Sequence, residues 1–200
     1  MTFYYQINKK YITKRNRQVQ HYRPQREHES KLVRFYSGVG TDQTHHTIGQ
    51  VWHFDTRTLE KNHEYIQWLF PIRQRSMYNP HAPVLTKRDI TIFNHSSFLK
   101  KRINTSFDVM LHFYGLKQIV QHSKLTVIET PRFQKQSKFW LTPMNHNFKR
   151  FTRILKSLHL LGLKRQFHAF LNYLVHVLYP KSQHIIDLTT LDYWTYVLDQ

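Results

Sequence analysis

The chain has 200 residues, of which 40% are hydrophobic and 15% aromatic, so it can bury one substantial core and is not disordered as a whole. It contains no cysteine, which excludes disulfide bonds, thiol catalysis and cysteine-ligated zinc. Its 30 Lys and Arg residues against 12 Asp and Glu give a formal net charge of +18, a balance that attracts polyanions such as nucleic acids, acidic proteins or anionic lipid head groups.

The hydropathy of the sequence predicts where in the cell the protein is located. No apolar run approaches the roughly 18 residues that a membrane-spanning helix needs, so no such helix is expected. The amino-terminal stretch MTFYYQINKKYITKRNRQ lacks the apolar core of a secretory signal, so classical secretion is not expected either. We therefore predict an intracellular protein, cytoplasmic or, in a eukaryote, nuclear. The positive charge also fits peripheral association with a membrane surface.

The chain begins with a basic segment. Residues 1–31 are rich in lysine and arginine and follow neither a helical nor a strand period, so we predict a flexible arm there. Residues 32–200 are predicted to form one folded domain. Near its start, the spacing Gly38-x-Gly40 is not that of a phosphate-binding loop, because no Lys–Ser/Thr pair follows it.

Helical signals dominate the first half of the domain. A short helix with Asn62 as an N-cap is predicted first. Thr86 and Asp89 have the spacing of a capping box, which predicts a second helix. A longer helix is predicted from a cap at Ser96 or Ser97 to a stop at Gly115, because apolar residues recur every three or four positions between them.

The second half returns to helical periodicity after one ambiguous stretch. The segment LTVIET, residues 125–130, fits either a short strand or an apolar tether across the core. A helix over 148–161 is predicted with Asn147 as its N-cap, the next apolar stripe ends at Pro180, and Thr190 is expected to cap a terminal helix. The pattern predicts an all-α fold: a compact single-domain helical bundle preceded by the basic arm.

Three segments are specific enough to suggest a family. They are NHEYIQWLFP followed by NPHAPVL (62–71 and 79–85), FDVMLHFYGL (107–116) and NFKRFTRILKSLHLLGL (147–163), with a weaker echo in LDYWTYVL (191–198). Together they resemble the conserved region of the opioid growth factor receptor family. One position departs from the pattern: Pro80 stands where the family usually has a tryptophan.

The resemblance implies a receptor-like, non-catalytic binding module. Members of the family are described as receptors for a small opioid peptide, methionine enkephalin, and are associated with the nucleus and with growth inhibition. The resemblance therefore implies a peptide or protein ligand, whose identity for this chain stays open. It implies no cofactor.

A basic ridge is the first candidate binding surface. No acidic residue occurs between Glu129 and Asp187. On the predicted helix over 148–161, basic side chains occur opposite the apolar stripe, which predicts an outward surface for phosphate, carboxylate or a partner protein. These ridge residues are Lys149, Arg150, Arg153 and Lys156. The alternative is an ordinary solvated helix face.

A pocket built from the family segments is the second candidate. Its expected members are His63, Gln67, Trp68, Asn79, His81 and His146. Three histidines from separate segments could meet around a metal ion or act as acid and base, yet none shows the paired helical spacing of a zinc protease, and no metal site is predicted. The alternative is that these histidines, and the amide of Gln67, are structural.

Three functional hypotheses follow. The first is the non-catalytic, receptor-like module. The second is binding of nucleic acid or another polyanion by the arm and the ridge. The third is a histidine-dependent hydrolase or transferase, for which the sequence defines no reaction, so the question of enzymatic activity stays open and a non-enzymatic role is favoured.

Overall fold

The computed structural model describes residues 29–77 and 79–199, with the side chains of 198 and 199 excepted. The expected basic arm, residues 1–31, therefore lies almost wholly outside the described residues. From Lys31 onward the chain forms one compact unit.

Five short helices and then one of 18 residues make up the first part of the domain. In chain order these helices are α1 Lys31–Ser37, α2 Ile48–Val51, α3 Thr56–Lys61, α4 Tyr65–Leu69, α5 Lys87–His95 and α6 Ser97–Tyr114. An isolated bridge between Thr41 and Thr47 closes the loop before α2.

A hairpin separates this part from a second group of helices. The elements are β1 Leu116–Gln121, β2 Lys124–Glu129, α7 Phe133–Trp140, α8 His146–Leu160, α9 Lys164–Tyr173, a π-helical segment Leu174–Leu178, α10 Tyr179–Lys181, α11 Leu188–Thr195 and a final 3-10 turn Tyr196–Asp199. The fold is thus mostly helical, and the expectation of a purely all-α protein is wrong because β1 and β2 pair as an antiparallel sheet.

Local signals placed several helix ends correctly. Thr86 and Asp89 form the capping box of α5, with the Asp89 amide donating to Thr86 Oγ1 at 3.1 Å and the Thr86 amide to Asp89 Oδ2 at 3.0 Å. Ser96 caps α6, which ends at Gly115 with a left-handed φ of 79°. These predictions are confirmed.

Three predicted caps are wrong by a few residues. Asn145, rather than Asn147, caps α8, and its Oδ1 accepts the Asn147 amide at 3.0 Å. Asp187, rather than Thr190, caps α11 and accepts the Thr190 amide at 2.6 Å. Asn62 accepts the Glu64 amide at 2.7 Å without capping a helix itself.

The hairpin has a tight two-residue turn. Gln121 pairs with Lys124, and the turn residues His122 and Ser123 have φ values of 48° and 61°. Such left-handed turns normally carry glycine or asparagine, so the sequence offers no recognisable hairpin signal. Val127 of β2 is buried.

Aromatic rings fill the centre of the domain, between α6, α7 and α8. The ring of Tyr114 lies 4.6 Å from that of Phe151 and 5.3 Å from that of Trp140, in edge-to-face contacts. Phe170 of α9 and Trp194 of α11 extend the cluster from Phe151, at 5.5 and 5.8 Å. This packing brings α6, α7 and α8 together around the buried polar residues Asn147 and Arg150.

Candidate functional site

The polar centre of the domain is a buried arginine. Arg150 of α8 is only 5% exposed. Its Nη1 donates to the carbonyl oxygen of Leu59 at 2.8 Å, and its Nη2 donates to those of Asn62 at 3.0 Å and Glu60 at 3.3 Å. These carbonyls lie at the carboxyl end of α3, where the helix dipole is negative, so they compensate the buried guanidinium.

The prediction that Arg150 belongs to an exposed ridge is therefore wrong. It follows Asn147 by three positions and precedes Ile154 by four, so it lies on the inward stripe of α8 with these two buried residues. Arg153 is half-buried, donates to the carbonyl of Phe70 at 3.3 Å, and has its pKa lowered to about 10 by burial. Of the four predicted ridge residues, Lys149 alone is exposed, and Lys156 is half-buried like Arg153.

The three family-like segments meet at this arginine, in what we call the arginine network: Tyr65, Tyr114, Asn147 and Arg150. Arg150 Nη1 contacts the phenol oxygen of Tyr65 at 3.3 Å and Asn147 Oδ1 at 3.2 Å. The Tyr114 hydroxyl donates to the same Asn147 oxygen at 3.1 Å. Burial raises the pKa of both tyrosines, so both hydroxyls keep their protons and can act as donors.

The network continues to the surface through Glu60. Asn147 Nδ2 donates to Glu60 Oε2 at 3.1 Å, and His146 Nε2 lies 3.5 Å from Glu60 Oε1. The rings of His146 and His63 meet edge to face, 4.8 Å apart. Partial burial, followed by the charge of Arg150, lowers the pKa of both imidazoles, although Glu60 acts in the opposite direction.

The predicted pocket is thus assembled only in part. His63 and His146 do meet, but Gln67 and Trp68 point into the core and are 6% and 3% exposed. Asn79 is buried and its Oδ1 accepts the amide of His81, whose side chain is exposed. Within residues 29–77 and 79–199, no hydrogen bond or ring contact joins His81 to the other two histidines.

The described residues do not form a metal centre. No group of three or more His, Cys, Asp or Glu side chains among them is arranged to hold an ion. The separation of His146 and Glu60 is also longer than an ordinary hydrogen bond.

A largely apolar groove opens beside Glu60. Its volume is about 360 Å³, and it runs between α3, α6 and α7. The residues that line this Glu60 groove are Thr56, Arg57, Glu60, Lys61, Phe113, Gln136, Phe139 and Trp140. Phe139 is 61% exposed while Trp140 is fully buried, so the groove has an aromatic floor and an aromatic rim.

Sequence reasoning missed this groove. Its aromatic wall comes from α7, a helix that was not predicted from the sequence. The adjacent pair Phe139–Trp140 was the available signal, because neighbouring residues point about 100° apart around a helix, so one of two adjacent aromatic residues can lie outside the buried stripe.

The fold and the arginine network define a mostly helical domain in which distant segments converge on one buried guanidinium beside an apolar groove. A family model described as the opioid growth factor receptor (OGFr) conserved region matches residues 15–200. The chain belongs to the opioid growth factor receptor family.

Curated relatives agree with this assignment. The chain is 40% identical to the human opioid growth factor receptor over 119 residues, which are 58% of this chain and 17% of the human protein. It is 33% identical to opioid growth factor receptor-like protein 1 of Rattus norvegicus over 150 residues, which are 74% of this chain and 31% of the rat protein.

The match to these relatives covers only part of their length. The chain spans less than a third of the length of these relatives. No solved structure gives a significant match. Among the helices that the structure describes, none is both long and apolar enough to cross a membrane.

Proposed function

We propose that this domain is a receptor-like, non-catalytic module that binds a short peptide in the Glu60 groove. The observation that carries the proposal is the position of Glu60, the single carboxylate among the described residues that line the groove. The arginine network fixes that carboxylate through Asn147. A fixed carboxylate on a residue beside an almost wholly apolar groove suits a ligand that combines an amine with an apolar side chain.

The hydrogen-bonding capacity of Glu60 supports an amine ligand. Each carboxylate oxygen has two lone pairs, and the described contacts use one on Oε2 for Asn147. The remaining lone pairs can accept a primary ammonium group, which is a charge-assisted interaction. Glu60 therefore offers a specific partner for the amino terminus of a peptide, even on a chain with a net charge of +18.

The groove walls support the rest of the peptide. Phe139, which is 61% exposed, provides accessible aromatic surface for one apolar side chain, above the buried rings of Phe113 and Trp140. Arg57 and Lys61 line the groove mainly with the apolar stems of their side chains, and their charged ends can pair at its edge with peptide carbonyls or a terminal carboxylate. The name of the human relative, a receptor for an opioid growth factor, is consistent with a peptide ligand.

Isothermal titration calorimetry with methionine enkephalin as the probe tests this proposal. We expect Phe139→Glu to weaken binding by at least about tenfold, because it places a charge on the aromatic rim. Tyr193→Glu is the matched control, since Tyr193 is also 61% exposed but does not line the groove. Equal affinity of both variants, or no binding by the unmodified protein, contradicts the proposal.

A second candidate function, polyanion binding, is favoured by the charge of +18. On this proposal an oligonucleotide binds through many phosphate contacts, so its affinity falls by orders of magnitude as salt rises from about 50 to 200 mM. Fluorescence anisotropy measures this affinity. An affinity for the oligonucleotide that does not change with salt would contradict nucleic-acid binding through the basic residues.

A further inference from the structure

A second cavity, separate from the Glu60 groove, lies where β2 meets α9 and α11. Its volume is about 490 Å³, within the range of small-molecule sites. Apolar side chains form much of its lining, namely Leu125, Ala169, Leu171 and Val175. Ala169 and Leu171 are 6% and 8% exposed, so they form a floor rather than a rim.

The ionisable side chains of the lining are all basic. Lys124, His168 and His176 are its ionisable residues, and the described lining contains no carboxylate. All three side chains are exposed, and no hydrogen bond or ion pair occupies any of them within the described part of the chain. A ligand in this cavity would therefore meet free cationic or hydrogen-bond-donating groups above an apolar floor.

The edge of β2 adds backbone groups to the same wall. Gln121 and Lys124 close a two-residue turn. The backbone N–H and C=O groups of Lys124 and Thr126 therefore face β1, and those of Leu125 point away from β1. Within the described residues, the Leu125 N–H and C=O have no backbone partner. The cavity thus offers a directional N–H donor beside its basic side chains.

The helix that lines the cavity is irregular at this place. The α-helical hydrogen bonding of α9 gives way to a π-helical turn over Leu174–Leu178, where the Tyr179 amide donates to the Leu174 carbonyl. Val175 and His176 of this turn both line the cavity. π-helical turns are uncommon and frequently occur at functional sites.

From these observations we propose that the cavity binds a small amphipathic anion, with its apolar chain on the floor formed by Ala169 and Leu171 and its carboxylate at Lys124 and the Leu125 amide. The absence of carboxylates from the described lining selects against an amine, and the apolar floor selects against a purely polar anion.

Octanoate is the probe, with octanol and octylamine as ligands of the same chain length and different charge. We expect saturable binding of one octanoate per chain, measured by calorimetry, and affinity at least about tenfold weaker for both other ligands. Octanol binding as tightly as octanoate would overturn the proposal, because the head group would then contribute nothing. Failure of octanoate to bind at millimolar concentration also overturns it.

Two variants locate the site on the intact chain. Lys124→Glu should weaken octanoate binding by about fivefold or more, whereas Lys117→Glu should leave it within about twofold. Lys117 is an exposed residue of β1 that does not line the cavity, so it controls for net charge. Equal weakening by the two variants would show attraction to overall charge and would contradict the assigned site.

Ala169→Phe provides a test that does not depend on charge. The larger side chain should fill the floor and abolish binding, provided that circular dichroism shows an unchanged helical content. Octanoate binding that survives this substitution in the folded protein contradicts the proposal, and Lys124→Glu remains decisive if the variant does not fold.

Discussion

Arg150 Nη1 donates a hydrogen bond to the carbonyl oxygen of Leu59 at 2.8 Å, across 91 positions of the chain. The contact joins α8 to the end of α3 inside the core. It also places Asn147, one turn earlier on α8, against the carboxylate of Glu60. The buried arginine therefore connects the stability of the fold with the geometry of the groove.

Replacing this arginine should be costly. Arg150→Met leaves the carbonyls of Leu59, Glu60 and Asn62 without their donor in the interior, so we expect a loss of about 3 kcal/mol or more in the free energy of unfolding. Urea denaturation measures the change. Arg165→Met on the exposed face of α9 is the matched control and should change stability by no more than about 0.5 kcal/mol. Similar losses in the two variants would contradict a central role for Arg150.

The histidine pair should titrate below the ordinary range. Burial and Arg150 lower the pKa of His63 and His146, so the unfolded chain takes up protons before the folded one as the pH falls. This contribution to stability is complete above the ordinary histidine pKa of about 6.5 and is lost as the pH falls below it.

Glu60→Gln tests the cause of these pKa values. The negative charge of Glu60 raises the pKa of His63 and of His146, so neutralising Glu60 should lower both pKa values further. NMR titration of the imidazole resonances can measure the change. An increase in either pKa in the variant would show that Glu60 does not act on the pair as the structure indicates.

Gly115 should not tolerate a side chain. Its φ is +79°, and a Cβ atom there would lie 2.6 Å from the Cα of Phe133, so Gly115→Ala is expected to cost about 2 kcal/mol or more. Gly49→Ala is the control, because the nearest atom to its Cβ is 3.9 Å away and α2 favours alanine. Thermal unfolding of the two variants gives the comparison, and an equal midpoint for both would contradict the packing of α6 against α7.

Asp108 should make stability fall as the pH rises. Burial raises its pKa to about 6, although the hydrogen bond from Gln118 opposes the shift. Ionisation of Asp108 is thus less favourable in the folded state than in the unfolded state. The free energy of unfolding therefore falls as the pH rises from about 4 through 6.

Asp108→Asn removes that titration. The stability of the variant relative to the unmodified protein should rise by up to about 3 kcal/mol between pH 4 and pH 7, measured by urea denaturation at each pH. Asp192→Asn, the same change at an exposed residue of α11, is the matched control. A relative stability that does not change with pH would show that Asp108 is not buried as described.

Local sequence signals predicted much of the helical fold. The capping box of Thr86 and Asp89 and the stop at Gly115 depend on neighbouring residues, so the sequence alone contains them. The hairpin was recognised only as a candidate strand, because His122 and Ser123 take left-handed conformations without a glycine signal. Pairing of β1 with β2 depends on tertiary packing that periodicity does not reveal.

The site was harder to predict than the fold. Arg150 occupies an inward position of α8, but its charge suggested a solvated face, and only the carbonyls at the end of α3 explain its burial. One alternative from the sequence was that His63, His81 and His146 meet, and within the described residues a contact joins only His63 and His146. The groove depends on α3 and α7, which are brought together by contacts far apart in sequence.

Whether the Glu60 carboxylate receives a peptide amine is tested most directly by a thermodynamic cycle. Binding of methionine enkephalin and its N-acetylated form to the unmodified protein and to Glu60→Gln, by calorimetry, gives four affinities. If the carboxylate binds the amine, acetylation weakens binding by about tenfold in the unmodified protein and has little further effect in the variant, a coupling of at least about 1 kcal/mol. Equal effects of acetylation in both proteins would contradict binding of the amine by the carboxylate.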